Sequence, residues 1–226
     1  MFKIGQLSAV LQHTCCVLCD TNTHHKVAIC KDCWQDLPWQ HNNCCPQCGL
    51  TSLGEVCGKC LSDPPFFDYT RALFSYAYPV DALLQAYKYQ HQLHLGQTFA
   101  QLSLQQFHPN DIDSILPMPM HPLRLQERGF NQSLELAKGI ANYWQLPLAL
   151  SHCQRVKNTP PQASLPLKDR VRNIKGAFSC DDGFRGKHVA IVDDVMTSGA
   201  SLNELAKTLK QAGANKVSCW VIARTH

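Results

Sequence analysis

Apolar residues recur at Val80, Leu83, Leu84 and Tyr87, the i, i+3, i+4, i+7 spacing that lays one apolar stripe along a helix. The spacing returns at Ala137, Ile140, Ala141 and Trp144, and again at Leu202, Leu205, Ala206 and Leu209. Gly213 stands where a left-handed residue would end the last of these helices. Short continuous apolar runs occupy 112–116, 148–150, 189–192 and 217–223, the length and character of buried strands. Strands alternating with helices predict an α/β fold, a parallel sheet with right-handed crossovers and helices packed against it. Neither period continues upstream of Pro64 and Pro65, so a small module is expected over 1–65 and the α/β domain over 66–226.

Cysteine replaces hydrophobic patterning in that first stretch. Ten of the chain's 13 cysteines lie between residues 15 and 60. Eight form four Cys-x-x-Cys pairs: Cys16 with Cys19, Cys30 with Cys33, Cys45 with Cys48, and Cys57 with Cys60. Each such turn presents two thiolates on one side of a tight loop, half of a tetrahedral zinc site. Four pairs therefore predict two structural Zn2+ ions in a double zinc ribbon. First-with-second and third-with-fourth is the simplest pairing, and an interleaved one stays open. A disulfide framework fits poorly with an odd cysteine count, and a redox Cys-x-x-Cys would need a βαβ context absent here. A module of about 60 residues gains from metal the folding energy that a small core does not supply. His24, His25 and His41 read as loop residues. Cys153, Cys180 and Cys219 read as small core residues.

Composition adds limits to this picture. Of 226 residues, 45% are hydrophobic and 17% charged, which excludes a disordered, collagen-like or coiled-coil chain. The net charge of +4 is unevenly distributed: residues 155–187 hold eight basic against three acidic side chains. Arg155, Lys157, Lys168, Arg170 and Arg172 belong to this stretch, which reads as a flap over an anion, a groove for a nucleic-acid backbone, or a solvated face. No apolar run reaches the length of a membrane span. The first residues lack a small-x-small cleavage site, so a cytoplasmic protein without membrane insertion is expected.

The chemistry concentrates at 189–201. An apolar strand ends in Asp193 and Asp194, followed by Thr197, Ser198, Gly199, Ala200 and Ser201 as the chain enters a helix. Free N–H groups and hydroxyls at such a turn, reinforced by the helix dipole, form a phosphate cradle. Two adjacent acids at a strand's carboxyl end call for a cationic or hydroxylated partner, and a ribose diol with Mg2+ meets that need. Beyond the 112–116 strand, Arg124 and Arg128 suit bidentate binding of phosphate oxygens, and Gly129 permits close backbone approach to an anion. The alternative is a pair of surface arginines opening a helix. Lys88, between Tyr87 and Tyr89, reads as structural.

Four apolar residues, two acids and a Thr/Ser-Gly loop resemble the 5-phosphoribosyl 1-diphosphate (PRPP) motif of type I phosphoribosyltransferases. The cysteine-rich start, Arg124 with Arg128-Gly129-Phe130-Asn131-Gln132, and Arg155, Thr159, Gln162, Arg170, Asn173 and Phe178 in order resemble the ComF family over nearly the whole chain. That family includes competence protein F, ComFC and GntX. The resemblance implies a phosphoribosyltransferase-like domain behind a zinc ribbon, with Asp193 and Asp194 facing the ribose hydroxyls. Residues 197–201 would hold the 5′-phosphate, and Arg124, Arg128, Gly129, Arg155 and Arg170 would face the diphosphate. It also implies a role in natural transformation beside a helicase-like partner on incoming single-stranded DNA. The segment 153–180, where such enzymes place a base-reading hood, contains no identifiable base-reading group. A transferase with an open acceptor and a non-catalytic nucleotide- or DNA-binding adaptor therefore both fit.

Overall fold

A computed structural model describes residues 14–23, 27–40, 43–159 and 167–226. The chain divides into two compact units, Met1–Asp36 and Leu37–His226.

In the first unit, strands β1 (Thr14–Cys15) and β2 (Asn22–Thr23) pair antiparallel around the Cys16-x-x-Cys19 turn. Asp20 closes that turn at φ 57°, and its N–H donates to the Cys16 carbonyl at 2.9 Å. Helix α1 (Lys31–Gln35) starts directly after Cys30 and carries Cys33 in its first turn.

The second unit opens with another knuckle. The Cys45 N–H donates to the Leu50 carbonyl at 2.7 Å and the Gly49 N–H to the Cys45 carbonyl at 2.9 Å. Helix α2 (Gly58–Ser62) follows Cys57 and carries Cys60. Strand β3 (Tyr69–Ser75), helices α3 (Val80–Tyr89) and α4 (His94–Ser103), and strand β4 (Ser114–Pro117) come next. After α5 (Pro122–Arg128) and α6 (Gln132–Trp144), strands β5 (Cys153–Arg155) and β6 (Phe178–Cys180) form a separate antiparallel pair with α7 (Leu167–Ile174) between them in sequence. Strand β7 (His188–Met196), helix α8 (Ala200–Gln211) and strand β8 (Lys216–Arg224) complete the chain.

The main sheet has the order β3-β8-β7-β4 with every neighbour parallel. Its central strands are apolar on both faces because helices cover both sides. On one face Leu202, Leu205, Ala206 and Leu209 of α8 share a core with Val189, Ile191, Val217, Cys219 and Val221. On the other face the indole of Trp220 stacks on Phe107 with ring centroids 5.3 Å apart. Helices α4 and α6 approach so closely that a Cβ at Gly139 would lie 2.6 Å from that of Ala100.

The three expected helices are present and longer than their apolar stripes. Helix α6 begins five residues before Ala137 because the Asn131 side chain accepts from the N–H groups of Ser133 and Leu134. The expected 148–150 strand is a correction: Leu148 makes one isolated bridge to Ile115, and no ladder follows. Pro147 precedes it and has no N–H to donate, which limits pairing there. The run at 189–192 extends through both acids to Met196, so Asp193 and Asp194 are strand residues at its carboxyl end. No described helix is long and apolar enough to cross a membrane.

Candidate functional site

In a parallel sheet the carboxyl ends of the strands share one edge, and the ligand crevice of such folds forms there. At this edge Asp193 and Asp194 line a cleft of about 480 Å³ together with Arg124, Arg128, Arg155, Lys88 and loop residues Thr197, Ser198, Gly199, Ala200 and Ser201. The geometry thus brings together most of the residues that sequence reasoning singled out.

The acid pair is held in a defined arrangement. The Ser133 hydroxyl donates to Asp193 Oδ1 at 2.8 Å, and the Asp194 N–H donates to the same oxygen at 2.9 Å. Asp194 Oδ1 accepts from the Val195 N–H at 2.7 Å, and Asp194 Oδ2 lies 2.9 Å from Lys88 Nζ. Burial, followed by the charge of Asp194, pushes the Asp193 carboxyl up to about 7, against the opposing pull of Lys88 and the Ser133 hydroxyl. Burial works against the charge of Lys88, yet the Asp194 carboxylate holds its pKa above the ordinary lysine value.

Lys88 thus lines the cleft through its pair with Asp194, a placement the sequence alone did not reveal. The usable signal was its position: Lys88 lies four residues after Leu84 and so shares the buried face of α3. A cation on an otherwise apolar face requires a counter-charge. Sequence reasoning also missed Ser133, whose role depends on Asn131 starting α6 where it does.

The loop turns on Gly199, which sits at φ +78° as the residue before α8. Ser198 Oγ accepts from the Ala200 N–H at 3.3 Å. A short turn rich in N–H and hydroxyl groups at the start of a 12-residue helix suits a phosphate. Across the cleft, burial lowers the pKa of Arg155, and the nearby Arg124 guanidinium lowers it further while Asp193 opposes. Two guanidiniums held close enough to repel gain from an anion between them. Arg155 also donates to the Thr159 hydroxyl and lies over the Phe178 ring.

Other expected positions behave differently. Arg128 lines the cleft but is engaged, donating to Gln132 Oε1 at 2.8 Å and lying over the Tyr89 ring at 5.4 Å. Gly129 is not among the cleft residues; its φ of +81° ends α5 as a left-handed cap. Arg170 lies in α7, and its side chain falls outside the described residues, as does Gln162.

The cysteines form two tetrads, Cys16 with Cys19, Cys30 and Cys33, and Cys45 with Cys48, Cys57 and Cys60. In each, the four Sγ atoms lie within 4.8 Å of one another. This settles the pairing as sequential rather than interleaved. The Sγ separations of 3.6 Å for Cys19–Cys30 and 3.7 Å for Cys48–Cys57 match the roughly 3.8 Å edge of a tetrahedron with about 2.3 Å Zn–S bonds. Both donor sets fit structural zinc. His24, His25 and His41 fall outside the described residues. Cys219 is buried in the sheet, and Cys153 and Cys180 face each other in the β5–β6 register.

Comparison with known proteins agrees with both halves of this description. The Double zinc ribbon domain family matches residues 7–62, and the Phosphoribosyl transferase domain family matches residues 131–226. Competence protein F of Haemophilus influenzae is 32% identical, over 92% of this chain and 96% of that protein. The chain belongs to the ComF family. DNA utilization protein YhgH of Salmonella typhimurium is also 32% identical, over 82% of this chain and 86% of the relative. Competence protein ComFC of Streptococcus pneumoniae is 24% identical over 87% of each. This ComF-family chain thus joins a double zinc ribbon to a phosphoribosyltransferase-like fold, and its acid pair, loop 197–201 and Arg155 lie within the residues that match the phosphoribosyltransferase family.

Proposed function

We propose that the cleft binds PRPP or a closely related phosphoribosyl ligand with Mg2+, and that the chain uses this ligand in handling incoming single-stranded DNA during competence. The observation carrying the reading is the meeting of Asp193 and Asp194, loop 197–201, and the Arg124–Arg155 pair in one cleft. In this reading the acids orient the ribose hydroxyls, the loop N–H groups and hydroxyls hold the 5′-phosphate, and Arg124 and Arg155 take the diphosphate. Arg128, which lines the cleft, contributes at its margin.

Mg2+ fits the donor set as an ion shared between carboxylate and ligand oxygens, since it is usually held by one or two carboxylates plus phosphates. It would neutralise the diphosphate. Lys88 pairs with Asp194 at 2.9 Å and holds that carboxylate in place, and Ser133 keeps the Asp193 carboxylate turned to a fixed angle. Such a site works by positioning and electrostatics rather than by covalent attack. The DNA role is supported by the names of the relatives and by the basic stretch 155–187, which includes Arg155, Lys157, Arg170 and Arg172.

A second reading, an adaptor that holds the ligand without turnover, is favoured by one observation. The segment 153–180 contains a single aromatic residue, Phe178, which is buried and lies under Arg155, so that ring is not presented for reading a base. Thermal unfolding with Mg-PRPP tests the shared part of both readings. At 100 times its dissociation constant a ligand adds about 2.7 kcal/mol, roughly 5–10 °C for a chain of this size. The shift should disappear in Asp194→Asn. An unchanged melting temperature in the wild type would refute ligand binding. Pyrophosphate release across a panel of acceptors separates transferase from adaptor.

A further inference from the structure

Arg224, the last residue of β8, is only 4% exposed and makes an unusual set of contacts. Its Nε donates to the carbonyl of Cys48 at 3.0 Å. Its Nη1 donates to the carbonyls of Met196 at 3.1 Å and Thr225 at 2.7 Å, and also to that of Thr197. One guanidinium therefore ties a ligand residue of the second cysteine tetrad to the two residues that lead into the phosphate loop. Among the described residues no carboxylate forms an ion pair with Arg224. The guanidinium faces the second tetrad through the Cys48 carbonyl. A zinc ion with four thiolates carries a net charge of about −2, which suits a buried cation bonded otherwise only to carbonyls.

The knuckle is also keyed into the sheet. The Thr70 N–H donates to the Pro46 carbonyl at 2.9 Å and the Thr70 hydroxyl to the Gln47 carbonyl at 2.7 Å. Gly49 is so close to β3 that a Cβ there would lie 3.3 Å from Thr70 Cγ2.

We propose that Arg224 is a positioning residue through which zinc in the second tetrad holds the phosphate loop in its binding conformation. Zinc held by the Cys48 thiolate would fix that residue's backbone; the Cys48 carbonyl fixes the guanidinium, and the guanidinium fixes the carbonyls of Met196, just before the loop, and Thr197, its first residue. Loss of the ion releases the first link, and the loop gains freedom that a ligand must then remove. The inference rests on the loop being the ligand-binding element, as proposed above. Lysine at this position keeps the charge but lacks the planar fork that spans several acceptors.

The test uses the full zinc-loaded chain and its Arg224→Lys and Arg224→Met variants. Three quantities are read: zinc per chain by thiol-reactive metal release, PRPP affinity by titration calorimetry, and hydrogen exchange of the 197–201 amides. Arg224→Lys is expected to keep about two zinc ions, lose at least tenfold in PRPP affinity, and exchange its loop amides faster. Chelating zinc from the wild type should speed the same amides. Wild-type affinity and unchanged loop exchange in Arg224→Lys would overturn the proposal, as would chelation that leaves the loop amides protected. If Arg224→Met fails to fold, the lysine variant and the chelation arm still decide. If the wild type binds no PRPP, the ligand reading fails, and amide exchange alone judges the link through Arg224.

Discussion

The two tetrads share a spacing and a donor set but serve different surroundings. Cys16, Cys19, Cys30 and Cys33 belong to the compact unit Met1–Asp36, with Cys16 buried and Cys19 exposed. Cys45, Cys48, Cys57 and Cys60 belong to the unit that contains the sheet and the cleft, and three of the four are buried. The residue after the second cysteine of each knuckle shows the contrast in miniature. Asp20 and Gly49 both adopt a left-handed backbone, at φ 57° and φ +71°. Asp serves in the first knuckle, whereas in the second the Thr70 methyl leaves tight room for a Cβ. A Cys-x-x-Cys pattern thus specifies the metal, and what the metal supports is decided by residues far away in sequence.

The largest effect should come from deleting ligands. A structural zinc site contributes on the order of 10 kcal/mol to folding. Cys45→Ser with Cys48→Ser should therefore remove one zinc per chain and lower the main calorimetric transition by more than 10 °C. The matching pair Cys16→Ser with Cys19→Ser should also remove one zinc and leave that transition in place. Equal losses from the two pairs would erase the distinction.

The cleft, which belongs to the second unit, should respond next. Lys88 and Asp194 are largely buried, with side chains 20% and 5% exposed, and removing one partner strands the other. Urea denaturation of Lys88→Met should show a loss of about 3–5 kcal/mol, partly restored by adding Asp194→Asn. An intact stability would mean that the pair is not formed in solution.

The pH dependence is smaller and has a defined sign. Asp193 rises in the folded chain from the ordinary 3.8 to about 7, so the native state binds the extra proton. Stability from this group is therefore full below about pH 4 and declines as pH rises through 7. Ligand binding, which needs the carboxylate, should move the opposite way and strengthen about tenfold between pH 6 and 8. An affinity that does not vary over this range would show that Asp193 does not titrate there.

The smallest test exchanges the knuckle residues. Gly49→Asp should cost about 1–2 kcal/mol through its left-handed backbone and the crowding against Thr70. Asp20→Gly should stay within about 0.5 kcal/mol. Equal costs by chemical denaturation would remove the local basis of the contrast.

What could be read in the sequence follows from how local each signal is. The four Cys-x-x-Cys turns, the apolar strand, the two acids and the Gly199 loop are contiguous, and each carries its chemistry within a few residues. Strand β3 was not legible because its alternation is interrupted: Arg71 is exposed, and Leu73 and Phe74 are buried in succession. The Lys88–Asp194 pair was not legible because its members lie 106 positions apart, and Arg224 showed no signal because its acceptors are carbonyls from three separated segments. Long-range partners of this kind become visible only once the sheet order is known.

The central claim is that Asp193, Asp194 and loop 197–201 form a phosphoribosyl ligand site. Titration calorimetry of Mg-PRPP into the wild type and Asp193→Asn at pH 8 tests it most directly. One site per chain in the wild type, weakened at least tenfold by the substitution, is the expected result. No binding in the wild type, or equal affinity in both proteins, would contradict the account.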